Sequence, residues 1–410
     1  MKTKFLAALV ILLLSGIMMP EAQAQGDEGF IYGKVYTIGG EVYEGQIRWG
    51  KEEAFWFDFF NATKPRNKYL GYLSREEMDD LERYKKHWAE RWAERVFDSN
   101  NSRFGHTFVC QFGDIKSLTV RGRNRVTLEL RNGKEYKLDD GSNDVGARIR
   151  VLDSELGEIS IKWDRLDKVE FMDTPKKLDQ RMGEPIYGTV YTRDGEITGY
   201  IQWDHDERLS TDKLDGETRD DDMSIPFGSI RSIEKSGRGV ELVTKRGREM
   251  YLWGSNDVDK DNRGIIVNTP GMGRVDIPWK EFDKVEFLDE TKDMPRYKDY
   301  GKPKSLAGTV TMINGDSFTG KIVFDLDEAY DFEILNGEND DIEYFIPFRA
   351  VKLIKPKNYY FSQVNLIDGE QLLIGDSQDL SDKNYGIIVF ESEDEYKYIP
   401  WEKVEEIKFK

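Results

Sequence analysis

Cysteine is almost absent from this chain: Cys110 is the only one in 410 residues, so no intramolecular disulfide can form. Histidine is nearly as scarce, at His87, His106 and His205, and no two of these have the spacing of a metal-binding pair. His-Glu-x-x-His, Gly-x-Ser-x-Gly, a glycine-rich phosphate loop and Cys-x-x-Cys are all missing, which removes the familiar hydrolase and transferase signatures. Positive charge is in deficit, 60 Lys and Arg against 78 Asp and Glu for a net −18, and this disfavours nucleic acid and anionic lipid as partners. Apolar runs are lacking too, apart from Phe5 to Met19. That run has fifteen residues, short of the about 20 that span a bilayer. Lys2 and Lys4 precede it and Ala22-Gln23-Ala24 follows, so residues 1–24 read as a cleaved secretory signal and the expected location is periplasmic or extracellular, with no transmembrane segment after cleavage.

What is present is repetition. The pattern Ile225-Pro-Phe-Gly-Ser-Ile-Arg-Ser-Ile233 has counterparts beginning at Cys110, Ile161, Ile277, Ile346 and Ile399. Starts within a pair lie 51, 52 and 53 residues apart, and the gaps between pairs are 64 and 69. Three tandem domains, each internally doubled, follow: 25–173, 186–289 and 306–410, with linkers over Asp173–Pro185 and Asp289–Lys304. Positions that recur in every unit are most simply explained by packing that every unit needs. Cys110 stands where other copies have Ile, so it reads as a small buried hydrophobe.

Locally the repeat is β-structure. In the middle domain Ile186 to Thr192, a turn at Asp194-Gly195, and Glu196 to Trp203 form a hairpin signature. Ile197, Gly199, Ile201 and Trp203 share one face, as do Tyr43, Gly45, Ile47 and Trp49, and Phe318, Gly320, Ile322 and Phe324. The inward glycine implies a sharply coiled strand. Within the nine-residue pattern two short strands flank one turn, and Pro226, Pro278, Pro347 and Pro400 mark edge-like positions. A hairpin around Asp-Gly followed by two short apolar strands resembles the SH3-like and Sm-like small β-barrels. The expected fold class is therefore all-β, each domain a duplicated pair of such barrel units.

The first domain is longer. Trp49 to Phe171 spans 122 positions, against 84 for Trp203 to Phe287 and 85 for Phe324 to Phe409, so a helical insertion is expected within about 55–107. Ser74-Arg-Glu-Glu77 is a capping box, and Met78, Leu81, Tyr84, Trp88, Trp92 and Val96 continue at helical spacing. The stripe is expected to pack on its own barrel at Phe55 to Phe60, or else to dock a protein partner through Tyr84, Trp88 and Trp92.

Three further candidates carry chemistry. Asp257, Asp259 and Asp261 alternate as calcium ligands would, although Asn262 and Asn268 replace the glycine and carboxylate of an EF-hand loop. Tyr187, Tyr191 and Tyr200, on the face opposite the core, are the candidate platform for a glycan. Ser377 in Gly375-Asp-Ser-Gln378 lies in a repeated turn without a histidine in its domain, which leaves it no base. Asp204-His-Asp-Glu207 and Arg219-Asp-Asp-Asp222 read as solvated loops. The expected function is that of a non-catalytic exported scaffold with a protein partner, ahead of a glycan- or calcium-binding module and well ahead of a hydrolase.

Overall fold

The alternating apolar residues become strands throughout. The computed structural model, which describes residues 26–64, 68–81, 106–139, 144–289 and 293–410, is all-β with antiparallel sheets. Apart from single 3-10 turns, the helical segment among the described residues is 75–81.

Each copy of the nine-residue pattern is a strand, one turn and a second strand. The turn is a 3-10 helix at Phe112–Asp114, Trp163–Arg165, Phe227–Ser229, Phe348–Ala350 and Trp401–Lys403, and an irregular turn at Trp279. Proline enters three of these turns, Pro226, Pro347 and Pro400, with φ of −61°, −57° and −59°. A locked φ in this range suits a turn entry where no ladder hydrogen bond is needed.

One strand order is used three times. In the second set it runs Asp222–Pro226, Lys213–Glu217, Glu249–Leu252, Gly239–Thr244, Ile230–Ser236, Phe282–Phe287, Tyr187–Thr192, Gly195–Trp203, Ile265–Thr269, Gly273–Ile277, the second and third joined by the bridge Glu217↔Trp253. The same order recurs over Tyr32–Phe171 and Ala307–Phe409. Trp203 shows how the sheet curls: its ring meets Phe227 at 6.2 Å, just past one end of the order, and Trp279 at 5.9 Å, just past the other. The two ends share a core but not a ladder. Closed barrels were expected; among the described residues the sheets stay open, and Gly273–Ile277 pairs instead with Ile342–Pro347 of the third set.

The inward glycines account for the curl. Gly45, Gly199 and Gly320 face Gly33, Gly188 and Gly308 across the first hairpin. A Cβ on Gly45, Gly199 or Gly320 would lie 1.9, 2.4 or 2.0 Å from a carbonyl oxygen of the next strand. The backbones approach more closely than any side chain permits.

Charged pairs lock the first set to the others. Asp58, Asp212 and Glu333 hold equivalent positions, and each accepts two backbone N–H bonds of its own loop. Each also takes a cation from another set: Arg208 on Asp58, Arg48 on Asp212 at 2.6 Å, and Lys64 on Glu333 at 2.9 Å. Phe30, Phe55, Phe57, Tyr187, Tyr200 and Leu209 fill the seam between the first two sets.

The insertion is narrower than 55–107. Phe59–Lys64 and His106–Gln111 pair as the hairpin that the other sets also possess, so the extra residues enter at its tip, where added chain disturbs the fewest ladder bonds.

Candidate functional site

The capping box forms as expected: the Ser74 N–H donates to Glu77 Oε2 at 2.8 Å and the Glu77 N–H to Ser74 Oγ at 3.2 Å. The helix it opens does not begin on its own sheet. Leu81 is buried against Val323, Leu326, Ala329, Ile388 and Tyr398 of the third set, and Tyr72 stacks edge-on against Phe390 at 5.1 Å. The expected dock at Phe55 to Phe60 is taken: Phe55 and Phe57 seal the seam to the second set, while Trp56 and Phe60 lie in the first core. Tyr84, Trp88 and Trp92 lie outside the described residues.

The recurring tryptophans pack as core. Trp49, Trp163, Trp203 and Trp401 are buried, and Trp279 is half-buried against Phe282 at 5.2 Å. The expected glycan platform is corrected, because Tyr187 and Tyr200 are buried at 4% and 0% exposure between the first two sets. Their strand face points away from its own core yet is covered by the neighbour, which hydrophobic period alone does not reveal. Tyr191 remains half-buried, its O–H donating to Glu286 at 3.3 Å. Cys110 is fully buried, as its alignment with Ile implied, and burial pushes its thiol pKa well up. Ser377 donates to the Asn336 carbonyl at 2.8 Å, a bond that ties its turn to the strand Ile334–Asn339.

The acidic residues assemble differently from their sequence spacing. Asp257 does not gather Asp259 and Asp261: the Asp259 carboxylate accepts the Asp261 N–H at 2.9 Å, and Asp261 pairs with Lys260 on the surface. Its partners are Asp204 and Glu207, with a carboxylate oxygen from each of the three within 4.8 Å of the others. Asp325, Glu328 and Asp379 form an equivalent group in the third set. The expectation of a solvated Asp204 loop is therefore corrected, since Asp204 is 1% exposed.

Local backbone chemistry places these groups. After the hairpin strand, Trp203 and Glu207 pair backbone to backbone across a tight loop, as do Phe324 and Glu328. Asp204 at φ 46° and Asp325 at φ 47° occupy the left-handed region, which a short polar side chain tolerates best among non-glycines. The first set has Gly50 there, at φ 60°, and so retains only Glu53 and Asp144. Asp257 and Asp379 each accept a backbone N–H from the facing strand, Asp215 at 2.6 Å and Asn336 at 2.7 Å, tying the 257 and 379 loops to the sheet.

Electrostatics in both groups favours the neutral or ligated state. Burial, then the neighbouring Asp257, Asp206 and Asp204, pushes Glu207 up to about 9, and burial raises Asp257 to about 6. Burial is also the main force raising Asp325, Glu328 and Asp379, with the other carboxylates adding to it. Oε2 of Glu207 and Oε2 of Glu328 are both buried without a hydrogen-bond partner. The signal available in sequence was the recurrence of Asp204 and Glu207 as Asp325 and Glu328, with Asp257 and Asp379 in aligned turns. No protein-family model matches the chain, and no curated protein matches it.

Proposed function

We propose that the protein is an exported, non-catalytic scaffold that presents its one unrepeated segment to a protein partner. Three copies of one sheet are joined by buried charge pairs, and residues common to all three are consumed by packing. The carrying observation is that the insertion, rooted at a hairpin tip of the first set, anchors Leu81 on the third set. An insertion that braces two units has a fixed base from which Tyr84, Trp88 and Trp92 can recognise another protein. Among the described residues no helix is long and apolar enough to cross a membrane. The signal-like segment 1–24 supports export.

The test is affinity capture from the envelope fraction of the source cells with the mature chain and with a Tyr84→Ala, Trp88→Ala, Trp92→Ala variant that keeps Leu81. A protein retained by the parent and lost by the variant supports the reading. Identical captured sets sink it.

A further inference from the structure

We propose that Asp325, Glu328 and Asp379 form a calcium-binding site, and that Asp204, Glu207 and Asp257 form its copy in the second set. The third-set group lines a cavity of about 430 Å³ between the first and third sets, shared with Lys64, Asn336 and Gln378. All three donors are oxygens, which hard divalent cations prefer. Calcium holds oxygens at about 2.3–2.6 Å, so opposite ligands lie up to about 5.2 Å apart. The 4.8 Å envelope of each group falls inside that span.

The observation beyond acidity is an atom with nothing to do. Glu328 as a residue is half-buried and lines the cavity, and its Oε2 is buried and lacks a partner. A buried unpartnered oxygen costs about 1–3 kcal/mol, and more when charged, and a bound cation would remove that cost. The Glu207 Oε2 is orphaned in the same way in the copy. The other carboxylates are already aimed: Asp325 accepts from the Tyr385 N–H and from Gln378 at 2.6 Å, and Asp379 accepts from Asn336, which fixes their orientation before any ion arrives. Lys64, the cation that acts on Glu328, is engaged with Asp327 at 3.3 Å and Glu333 at 2.9 Å. In the copy Arg263 reaches Asp204 at 3.5 Å and Asp206 at 2.9 Å, so the second-set site is the weaker one. Gly50 removes the third carboxylate from the first set, so the stoichiometry is two.

Chelator-stripped full-length mature chain, titrated with calcium chloride at pH 8 by calorimetry, binds two ions. Glu328→Gln removes the tighter, Glu207→Gln the weaker, and the double variant both. Glutamine keeps the shape of glutamate, so melting in chelator should not fall; circular dichroism checks this. A second readout needs no variant: terbium bound in the second-set site is excited through Trp203, whose indole N–H donates to the Asp257 carbonyl at 2.8 Å, and calcium quenches the signal by competition. No calcium binding at millimolar concentration, two sites surviving in the double variant, or no sensitised terbium emission would each overturn the proposal.

Discussion

Arg208, with no exposed surface, pairs through Nη2 with Oδ1 of Asp58 across the seam between the first two sets. Its guanidinium also lies over Phe55 and Phe57, at 5.0 and 5.3 Å from the ring centroids. Removing one member of a buried pair strands the other charge, at about 3–5 kcal/mol. Asp58→Asn is expected to cost that much in urea unfolding. Adding Arg208→Met should recover a substantial part, because the stranded charge disappears and methionine fills the aromatic slot. An Asp58→Asn protein within about 1 kcal/mol of the parent would show the pair is not closed to water.

Gly320→Ala tests why the sheets curl. The added Cβ would lie 2.0 Å from the Phe390 carbonyl oxygen, a backbone atom that cannot swing aside. The expected loss is at the upper end of overpacking, about 3 kcal/mol or more, read as lower soluble yield and melting temperature. Gly71→Ala is the control: nothing lies within 4 Å of where its methyl group would sit, so its effect should stay within about 1 kcal/mol.

These glycines also mark what the sequence disclosed. A glycine on the apolar face of a strand has few explanations other than close backbone approach, and its threefold recurrence made both the hairpin and the unit legible. Burial of Tyr200 was not, because the strand face that alternation assigns to water is covered by residues far away in sequence, Phe55 and Phe57. The carboxylate groups were hidden for a similar reason: Asp257 was visible as acidic, but Asp204 and Glu207 come from a different loop about fifty residues away. Charge density along the chain favoured Asp259 and Asp261, whereas topology chose otherwise. The open sheets were missed because the Asp-Gly hairpin and short strands are equally compatible with a closed barrel.

Linker cleavage should nick the molecule without dismantling it. Lys176 and Lys177 are exposed, so trypsin can cut there. Nearby Thr174 is buried, donating to the Phe30 carbonyl at 2.6 Å and accepting from the Trp56 indole at 3.1 Å, and Arg48 holds Asp212 across the seam. Nicked protein is expected to elute from size exclusion as one species and to separate only in denaturant. Early separation in native buffer would mean the charge pairs contribute little.

Calcium and pH should act in opposition. Burial lifts Glu207 to about 9 and Asp257 to about 6, and raises Asp325, Glu328 and Asp379, while in the unfolded chain such groups titrate near 4. Between about pH 4 and the folded values the native state therefore holds more protons than the unfolded chain, and stability falls as pH rises through that window. Asp276 has the opposite sign, because His205 and Arg274 outweigh its burial and lower its pKa, but its contribution is lost only in more acid solution, below the window. Lys64 and Arg263, the cations beside the two groups, stay charged throughout it. In chelator the melting temperature is expected to decline from about pH 5 to about pH 9, and the Glu207→Gln, Glu328→Gln double variant should decline less. Calcium displaces the same protons, so its stabilising effect should grow with pH and flatten the parent's profile. A chelator profile that rises over this range, identically in parent and double variant, would mean that the carboxylates are ionised without help and that neither protons nor calcium hold the groups together.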